Sequence, residues 1–235
     1  MVDKIHSLLY DYYRIYIDRK ISEDLAKFVE MMLEYNKKHN LTSITDVDEV
    51  LLKHLLDSLL PIKLLNESDK ILDIGCGAGF PSVPLAIVNR NLNITAIDSV
   101  QKKTDFVEMV KKELKLDNLR VIHTRIEDFA RLPEERETYD VVVSRAVAPL
   151  NVITEYSAPM LKNGGHIFAY KGVNFNDEIK VAEKAFRLLD CSVADITGFY
   201  VYELETNRYV IRVRKNSTII PKYPRKQNKP RTKPL

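Results

Sequence analysis

Between residues 70 and 170, short β-branched runs alternate with amphipathic stretches, and this alternation limits the possible folds more than any other feature of the chain. Helical patterns occupy residues 81–89, 101–114 and 151–161. The apolar runs are predicted to be five strands, at residues 70–74, 93–97, 119–124, 139–144 and 165–170. Strands that alternate with helices predict an α/β fold, in which helices cover both faces of a mostly parallel sheet.

The first 65 residues carry a helical pattern instead. An apolar stripe at spacings of three and four predicts an amphipathic helix through Ile21, Leu25, Phe28, Met32 and Tyr35. Ser22 is predicted to cap this helix. Thr45 and Asp48 have the spacing of a capping box before a second helix over residues 47–60. We expect this N-terminal helical segment, residues 1–65, to pack on a catalytic domain of residues 66–220.

The C-terminal end combines a β-hairpin signal with a strong basic bias. Two β-rich runs, residues 191–204 and 208–215, predict an antiparallel hairpin that closes the sheet. From Arg208 to Leu235 the chain has ten Lys or Arg and no acid, whereas residues 1–207 carry 26 basic and 33 acidic groups. Such a block is typical either of polyanion binding or of a solubilising tail, and charge alone does not separate the two.

Residues 221–235 are expected to form a basic, proline-rich tail. Its prolines disfavour both helix and strand, so the segment is predicted to be extended and accessible: Pro221, Pro224, Pro230 and Pro234. A flexible arm of this kind could contact RNA phosphates through Lys222, Arg225, Lys226, Lys229, Arg231 and Lys233. Its removal is expected to leave cofactor affinity unchanged, because the candidate cofactor loops lie elsewhere in the sequence.

A glycine cluster follows the first predicted strand and opens a helix. Gly75, Gly77 and Gly79 come directly after Asp73, and glycine permits a sharp turn at which a ligand can touch the backbone. The next strand ends at Asp98, whose two carboxylate oxygens match the vicinal hydroxyls of a ribose. Together they predict a site for a nucleoside-containing cofactor. The alternative is a structural turn next to a solvated carboxylate.

The glycine spacing also bears on the choice of cofactor. Asp73 followed by G-x-G-x-G resembles the first motif of S-adenosylmethionine-dependent methyltransferases. That resemblance implies a Rossmann-like fold with a mostly parallel seven-stranded sheet and an antiparallel last strand, which the terminal hairpin fits. An acid in the loop after the third strand then flanks the adenine, and its spacing leaves Glu127 and Asp128 as alternatives.

The fourth predicted strand leads into "SRAVAPL", residues 144–150, which lacks the Pro-Pro-aromatic motif of enzymes that methylate exocyclic amines. Cys76 and Cys191 are not placed for covalent catalysis at a pyrimidine, and no metal-ligand spacing occurs. A ring nitrogen such as guanine N7 has an available lone pair, so catalysis would be mostly alignment. Arg145 could hold a phosphate, a base edge or the cofactor, or form a salt bridge at the strand end.

Seven stretches in order closely resemble the RsmG family, also called GidB: "YNKKHNLTSIT", "HLLDSLL", "LDIGCGAGFPSVPLAI", "IDSVQKK", "RIED", "VVSRAVAPL" and "YKG". The family comprises bacterial enzymes that methylate guanine N7 in 16S ribosomal RNA, at rRNA position 527. The resemblance therefore implies S-adenosylmethionine as cofactor, no metal, and 16S rRNA or the small ribosomal subunit as partner.

The resemblance also assigns residues. It implies cofactor binding by the glycine loop, the ribose acid and the adenine loop, where it favours Glu127 over Asp128: Asp73, Gly75, Gly77, Gly79, Phe80, Asp98, Ile126, Glu127 and Arg145. It implies a catalytic or substrate role for Arg145, Arg125, Asn40, His54, Asp57 and Lys171. Asn40 belongs to a motif with Leu41 and Thr42. His54, Asp57 and Ser58 share one helix face and could equally form a hydrogen-bonded knot that joins the helices to the sheet.

Two further functions compete with the rRNA methyltransferase. One is a methyltransferase of the same fold that acts on a small molecule or protein, and the other is a ribosome assembly factor with a vestigial cofactor site. The basic C-terminal block argues against the first, and the intact glycine and Asp98 set argues against the second. No apolar run approaches the roughly 18 residues of a membrane span. We expect a cytoplasmic monomer that contacts no membrane.

Overall fold

The computed structural model describes residues 1–219, 221–226 and 228–235. Its centre is a seven-stranded sheet in the order β3-β2-β1-β4-β5-β7-β6. The strands are β1 (Lys70–Ile74), β2 (Asn93–Asp98), β3 (Leu119–His123), β4 (Tyr139–Arg145), β5 (Leu161–Lys171), β6 (Cys191–Val201) and β7 (Thr206–Lys215). β7 runs antiparallel to both of its neighbours, and the remaining pairs are parallel. The predicted Rossmann-like sheet is thereby confirmed.

The N-terminal segment is helical, as predicted, but begins its helices at other residues. It contains α1 (Val2–Tyr13), α2 (Arg19–His39) and α3 (Val47–Val50), which continues as a π-helical turn over Leu51–Leu56. Ser22 lies buried inside α2, whose start is capped by Asp18. The capping box at Thr45 is also wrong, because the Asp46 side chain accepts from the Glu49 amide at 2.9 Å. In both places the aspartate directly before the first helical residue bonds a free amide of the first turn.

Five helices cover the sheet: α4 (Ser82–Val88), α5 (Gln101–Glu113), α6 (Ile126–Phe129), α7 (Leu150–Ser157) and α8 (Phe175–Leu188). Successive residues of a strand face opposite sides, and Ile71 and Leu72 accordingly belong to different apolar clusters. The cluster with Ile71 includes the N-terminal segment, α4 and α5. The cluster with Leu72 includes α7, α8 and Tyr223 of the tail. The two ends of the chain therefore pack on opposite faces of the sheet.

The tail differs from the extended, accessible arm that its composition predicts. It contains one short helix, α9 (Lys229–Thr232), and buries Tyr223 and Pro230. Arg225 pairs with Glu155 of α7, a carboxylate that is 0% exposed. A buried acid on another element gives the tail a partner that the tail's own sequence does not reveal. Among the described residues, no helix has the length and apolar character that crossing a membrane requires.

Candidate active site at the carboxyl ends of the strands

The glycine loop joins β1 to α4 at the edge where the parallel strands end. Gly75, Gly77 and Gly79 all have positive φ, at 73°, 57° and 88°. A Cβ on Gly75 would lie 2.8 Å from Val147, and one on Gly79 would lie 2.7 Å from Val83. A Cβ on Gly77 would meet no described atom within 4 Å. Close packing thus requires glycine at the outer two positions, whereas only the backbone angle requires it at Gly77.

Asp73, predicted to bind cofactor, lies beneath this loop. It is 0% exposed, and its Oδ2 accepts from the Ser82 amide at 3.2 Å, where α4 begins. Burial raises the pKa of Asp73 to about 7. Its observed contact therefore braces the loop against the helix. Burial also raises the pKa of the Cys76 thiol well above its ordinary value, so this cysteine stays protonated, as expected for a packing residue.

A cavity of about 380 Å³ opens beside the glycine loop, and we call it the acidic-loop cavity. Its lining includes the predicted residues Gly75, Asp98, Arg125, Ile126 and Glu127. The structure adds eight residues that were not predicted: Ser99, Val100, Lys103, Ala146, Val147, Tyr156, Asn228 and Arg231. Residues at or just after the ends of four strands, together with residues of α7 and the tail, thus meet around one space.

Backbone contacts fix the Asp98 carboxylate at the rim of this cavity. Its Oδ2 accepts from the Gly77 amide at 3.0 Å, and its Oδ1 accepts from the Val100 amide at 2.9 Å. Lys103 lies 3.8 Å away. Each carboxylate oxygen can accept a second hydrogen bond, so this anchored group retains acceptor capacity toward the cavity.

Glu127 also lines this cavity. Its Oε1 accepts from the Tyr156 hydroxyl at 3.1 Å. Burial, reinforced by this carboxylate, raises the pKa of Tyr156 to about 12, so the tyrosine remains a hydrogen-bond donor. Asp128 lines a neighbouring cavity together with Arg131 and Lys226. Of the two acids that the sequence leaves open, Glu127 is the one that borders the acidic-loop cavity.

A second cavity, of about 410 Å³, adjoins the first through Ala146, and we call it the basic cavity. It brings together four of the predicted catalytic residues: His54, Asp57, Arg145 and Lys171. Its lining also includes Lys53, Tyr170, Gly172, Glu178 and Arg208. Lys171 donates to the Ala148 carbonyl at 3.0 Å and pairs with Glu178 at 2.6 Å.

Arg145 is the centre of a polar knot between β4 and the N-terminal segment. Its Nε lies 3.2 Å from Asp57, and its guanidinium donates to the His54 carbonyl at 3.2 Å and to Ser58 Oγ at 3.3 Å. It also donates to His54 Nδ1 at 2.5 Å. The salt bridge at a strand end, which was the alternative function for this arginine, is present. The same contacts favour the knot over direct substrate contact for Ser58.

The environment of this knot sets two protonation states. Burial, with Arg145 beside it, lowers the pKa of His54 to about 4, so the ring is neutral at neutral pH. Its Nδ1 then accepts a hydrogen bond from Arg145. Its Nε2 carries the proton and lies 3.1 Å from Thr42 Oγ1. Burial raises the pKa of Asp57, although Arg145 and Arg208 favour its charged form.

The structure places Phe80 against the polar knot and Asn40 at the end of α2. The Phe80 ring is 5.0 Å from the His54 ring and 5.7 Å from the Arg145 guanidinium carbon, so it packs against the polar knot. Asn40 ends α2 in a left-handed conformation, with φ 49°, and lines a separate cavity with Thr42. Within the described chain, Asn40 therefore borders neither the acidic-loop cavity nor the basic cavity.

Several site residues were missed because the sequence carries only a weak signal for them. Lys103 lies five positions after Asp98, inside a stretch that the family resemblance already covers. Tyr156 was hidden in the apolar pattern of α7, and Arg208 in the basic block. Asn228 and Arg231 lie in the tail, where no pattern pointed to a cavity. Across residues 1–219, 221–226 and 228–235, no three acidic, histidine or cysteine side chains converge as metal ligands.

Solved structures share this fold at low identity. An O-methyltransferase from Bacillus cereus in complex with SAH has a TM-score of 0.57 and 16% identity, over 92% of this chain and 100% of that one. M. jannaschii TYW2 in complex with AdoMet has a TM-score of 0.52 and 18% identity, over 64% of this chain and 70% of that one. At such identities the likeness concerns the fold alone.

Sequence relatives are much more similar. The chain is 43% identical to "Ribosomal RNA small subunit methyltransferase G" of Desulfitobacterium hafniense (strain Y51), over 91% of this chain and 89% of that protein. The protein of the same name from Caldanaerobacter subterraneus subsp. tengcongensis is 38% identical, over 91% and 90%. The family model for GidB, rRNA small subunit methyltransferase G, matches residues 21–204. The chain therefore belongs to the GidB family, the rRNA small subunit methyltransferase G proteins.

Proposed function

We propose that this protein transfers a methyl group from S-adenosylmethionine to N7 of a guanine in 16S rRNA. The observation that carries the proposal is the junction of two unlike cavities at Ala146. One presents an anchored carboxylate and a glycine turn, and the other is surrounded by cations. A cofactor in the first and a nucleotide in the second would meet at that junction. The proposal treats residues 66–220 as the catalytic domain of a monomer.

The residues of the acidic-loop cavity fit an adenosyl cofactor. Asp98 keeps acceptor capacity for ribose hydroxyls, because its backbone contacts use one hydrogen bond on each oxygen. Ile126 and Glu127 offer an apolar surface and an acceptor for the adenine. Lys103 and Arg125 supply positive charge for an amino-acid carboxylate. When bound, S-adenosylmethionine supplies an electrophilic methyl group on a sulfonium.

Guanine N7 needs no base, because its lone pair carries no proton. The lone pair takes the methyl group, the electron pair of the broken carbon–sulfur bond stays on sulfur, and the positive charge passes to the guanine ring. The reaction does not require His54 to act as a base. Its Nδ1 accepts a hydrogen bond from Arg145 and is not free to take a proton. The chain's task is then to align the two partners rather than to move protons.

The basic cavity divides its cations into two pairs. Arg145 and Lys171 have side chains that are 13% and 9% exposed, and they pair with Asp57 and Glu178. Lys53 and Arg208 are 31% and 29% exposed. We assign the inner pair to shaping the cavity wall and the outer pair to contacts with RNA phosphates around the target base.

Methyl transfer from labelled S-adenosylmethionine tests this function directly. The substrates are 16S rRNA and small ribosomal subunits from a strain that lacks this modification, and 7-methylguanine is located by chemical cleavage at the modified base. We expect label in one guanine of 16S rRNA, and a Lys180→Ala control, altered on the exposed face of α8, to be fully active. Label on another base atom or in protein would contradict the proposal.

The cofactor half has its own test. We expect Asp98→Ala to weaken binding of S-adenosylhomocysteine by about ten- to a hundredfold, because loss of charge-assisted hydrogen bonding costs roughly 1.5–3 kcal/mol. Calorimetry measures the change, with Asp177→Ala, an exposed acid on α8, as the matched control. Circular dichroism checks that the variant is folded, since Asp98 also holds the Gly77 amide. Unchanged affinity would remove Asp98 from the site.

A further inference from the structure

The C-terminal tail reaches the acidic-loop cavity. Asn228 and Arg231 line it together with Asp98 and Glu127. The Arg231 guanidinium donates to the Val147 carbonyl at 3.2 Å, and Val147 is the residue that packs against Gly75. The tail therefore lies next to the carboxyl end of β4, on the side of the cavity that faces the glycine loop.

A buried ion pair holds the tail in this place. Glu155 is 0% exposed, and its two oxygens accept from Arg225 Nε at 2.8 Å and from the Arg225 guanidinium at 2.7 Å. The Arg225 amide donates to the same carboxylate at 2.9 Å. Arg136 reaches the tail as well, since it donates to the Tyr223 carbonyl at 2.9 Å. A fully buried carboxylate needs such a partner, because an unpaired charge there would be costly.

α7 couples this anchor to the cavity. Glu155 holds the tail, and the next residue, Tyr156, lines the cavity and donates to Glu127. Arg225 also donates to the Lys233 carbonyl at 2.8 Å. This bond joins the residues before and after α9, so the tail forms a closed turn. The turn that results presents Asn228 and Arg231 toward the cavity. A tail that served only for solubility would need neither the buried anchor nor this fold-back.

We propose that the tail is a latch that completes the cofactor site: the Arg225–Glu155 pair docks it, and Asn228 and Arg231 contact the bound adenosyl cofactor. This inference rests on the proposed function, because it concerns the ligand of the same cavity. The guanidinium of Arg231 offers several donors to acceptor atoms of the ligand. The latch predicts, contrary to the expectation from the sequence, that cofactor affinity depends on the tail.

Coupling of this kind is reciprocal. If the docked tail strengthens ligand binding, the bound ligand must strengthen tail docking by the same factor. The tail contains trypsin sites after Arg225 and Lys226, and cleavage there requires the segment to leave α7. Bound S-adenosylhomocysteine should therefore slow tryptic cleavage of the tail in the full-length protein.

The deciding experiment measures S-adenosylhomocysteine binding by calorimetry for the full-length protein and three variants. We expect Arg231→Ala to lose roughly tenfold in affinity, the worth of about one hydrogen bond. Removal of residues 221–235 should lower the affinity for S-adenosylhomocysteine by at least the same factor. Lys233→Ala, which deletes an equal charge from the same tail at an exposed side chain, should bind like the full-length protein. Trypsin protection by the ligand should be present in the full-length protein and reduced in Arg231→Ala.

Each other result has a defined meaning. Equal affinity in Arg231→Ala and in the full-length protein overturns the latch even if the truncated protein fails to fold. Tighter binding without the tail also overturns it, because the tail would then obstruct the cavity. If the full-length protein does not bind S-adenosylhomocysteine, the proposed function fails and the latch with it. If the full-length protein and all variants bind S-adenosylhomocysteine with the same affinity, the latch is rejected and the proposed function is kept.

Discussion

The N-terminal segment lines the basic cavity and the C-terminal tail lines the acidic-loop cavity, but different interactions attach the two segments to the sheet. The N-terminal segment shares an apolar core with the sheet through fully buried side chains such as Leu25, Phe28 and Met32. The tail buries few apolar groups and is held mainly by polar contacts, of which the Arg225–Glu155 pair involves a fully buried carboxylate. Apolar burial is broad and cooperative, whereas a few polar contacts, namely this ion pair and the hydrogen bonds made by Arg136 and Arg231, can open locally. The first end should unfold with the domain, and the second should detach alone.

This difference suits the two proposed ligands. The basic cavity would receive a base from a large RNA, and a wall that belongs to the core stays in place during that encounter. The acidic-loop cavity would have to admit and release a small cofactor in each cycle. A wall that opens without unfolding the domain allows such exchange, because elements with few buried contacts have the lowest opening free energies.

Arg145→Ala is expected to have the largest effect, because it breaks the polar knot on the N-terminal side. It would leave Asp57 buried without its nearest cation, and breaking a buried ion pair costs about 3–5 kcal/mol. We expect the free energy of unfolding in urea to fall by that order, with the N-terminal segment and the sheet unfolding together. Arg187→Ala, which breaks an exposed pair with Glu183, should cost less than about 1 kcal/mol. A similar small loss in both variants would mean that the knot contributes little.

The pH dependence of stability should report the same knot through His54. Its pKa is lowered from 6.5 to about 4 in the folded protein. Below the ordinary value the unfolded chain takes up a proton that the folded protein resists, so the stabilising contribution is present above pH 6.5 and is lost as pH falls toward 4. After allowance for partial solvent exposure, we expect a loss on the order of 1–3 kcal/mol.

His54→Gln isolates this contribution from the other titrating groups. The measurement is the free energy of unfolding in urea at several pH values between 4 and 7, for the original protein and the variant. We expect the difference between the two proteins to shrink as pH falls. A constant difference across the range would show that His54 titrates alike in the folded and unfolded states.

Glu155→Gln is the matching change on the C-terminal side. A neutral amide cannot hold the Arg225 guanidinium as the carboxylate does, so the tail should detach and Arg225 should become solvated. Because little else depends on the tail, we expect the free energy of unfolding to change by about 1 kcal/mol or less. Limited trypsin digestion should nevertheless cut the tail faster than in the original protein. Unfolding on the scale of Arg145→Ala would show that the tail belongs to the core.

The fold was predictable because its signals are local. The strand over residues 70–74 has the predicted bounds, since a short apolar run between turns has few other solutions. The glycine positions and Asp98 were also predictable, because a backbone turn and a strand end leave their mark in adjacent residues. The helix starts at Asp18 and Asp46 were missed because several capping residues lie close together in both stretches.

The walls of the cavities were less predictable because their partners are distant in sequence. Arg145 contacts His54 across 91 positions, and Arg225 meets Glu155 across 70. Composition describes the tail as basic and proline-rich, and this description is correct. It does not contain the position of a buried carboxylate on α7, which decides where the tail lies. The docking of the tail could therefore be found only from the three-dimensional structure.

The smallest expected effect separates the two roles of the tail. Arg225 and Arg231 are engaged within the protein, whereas Lys222, Lys226, Lys229 and Lys233 are exposed. If the tail also contacts RNA, these lysines are the groups available for phosphates. Each neutralised phosphate contributes roughly 0.7–0.9 to the slope of log affinity against log salt, so replacing all four by Gln should flatten the slope by at most about 3.6. The affinity for S-adenosylhomocysteine should not change, because the docking pair and Arg231 are intact.

RNA binding across a salt series, with a Lys180→Gln, Lys184→Gln double variant of α8 as control, measures the slope. An unaltered slope would show that these lysines make no contacts with RNA phosphates, so the tail would act at the cofactor cavity only. A loss of affinity for S-adenosylhomocysteine would show that docking depends on more than the Arg225–Glu155 pair.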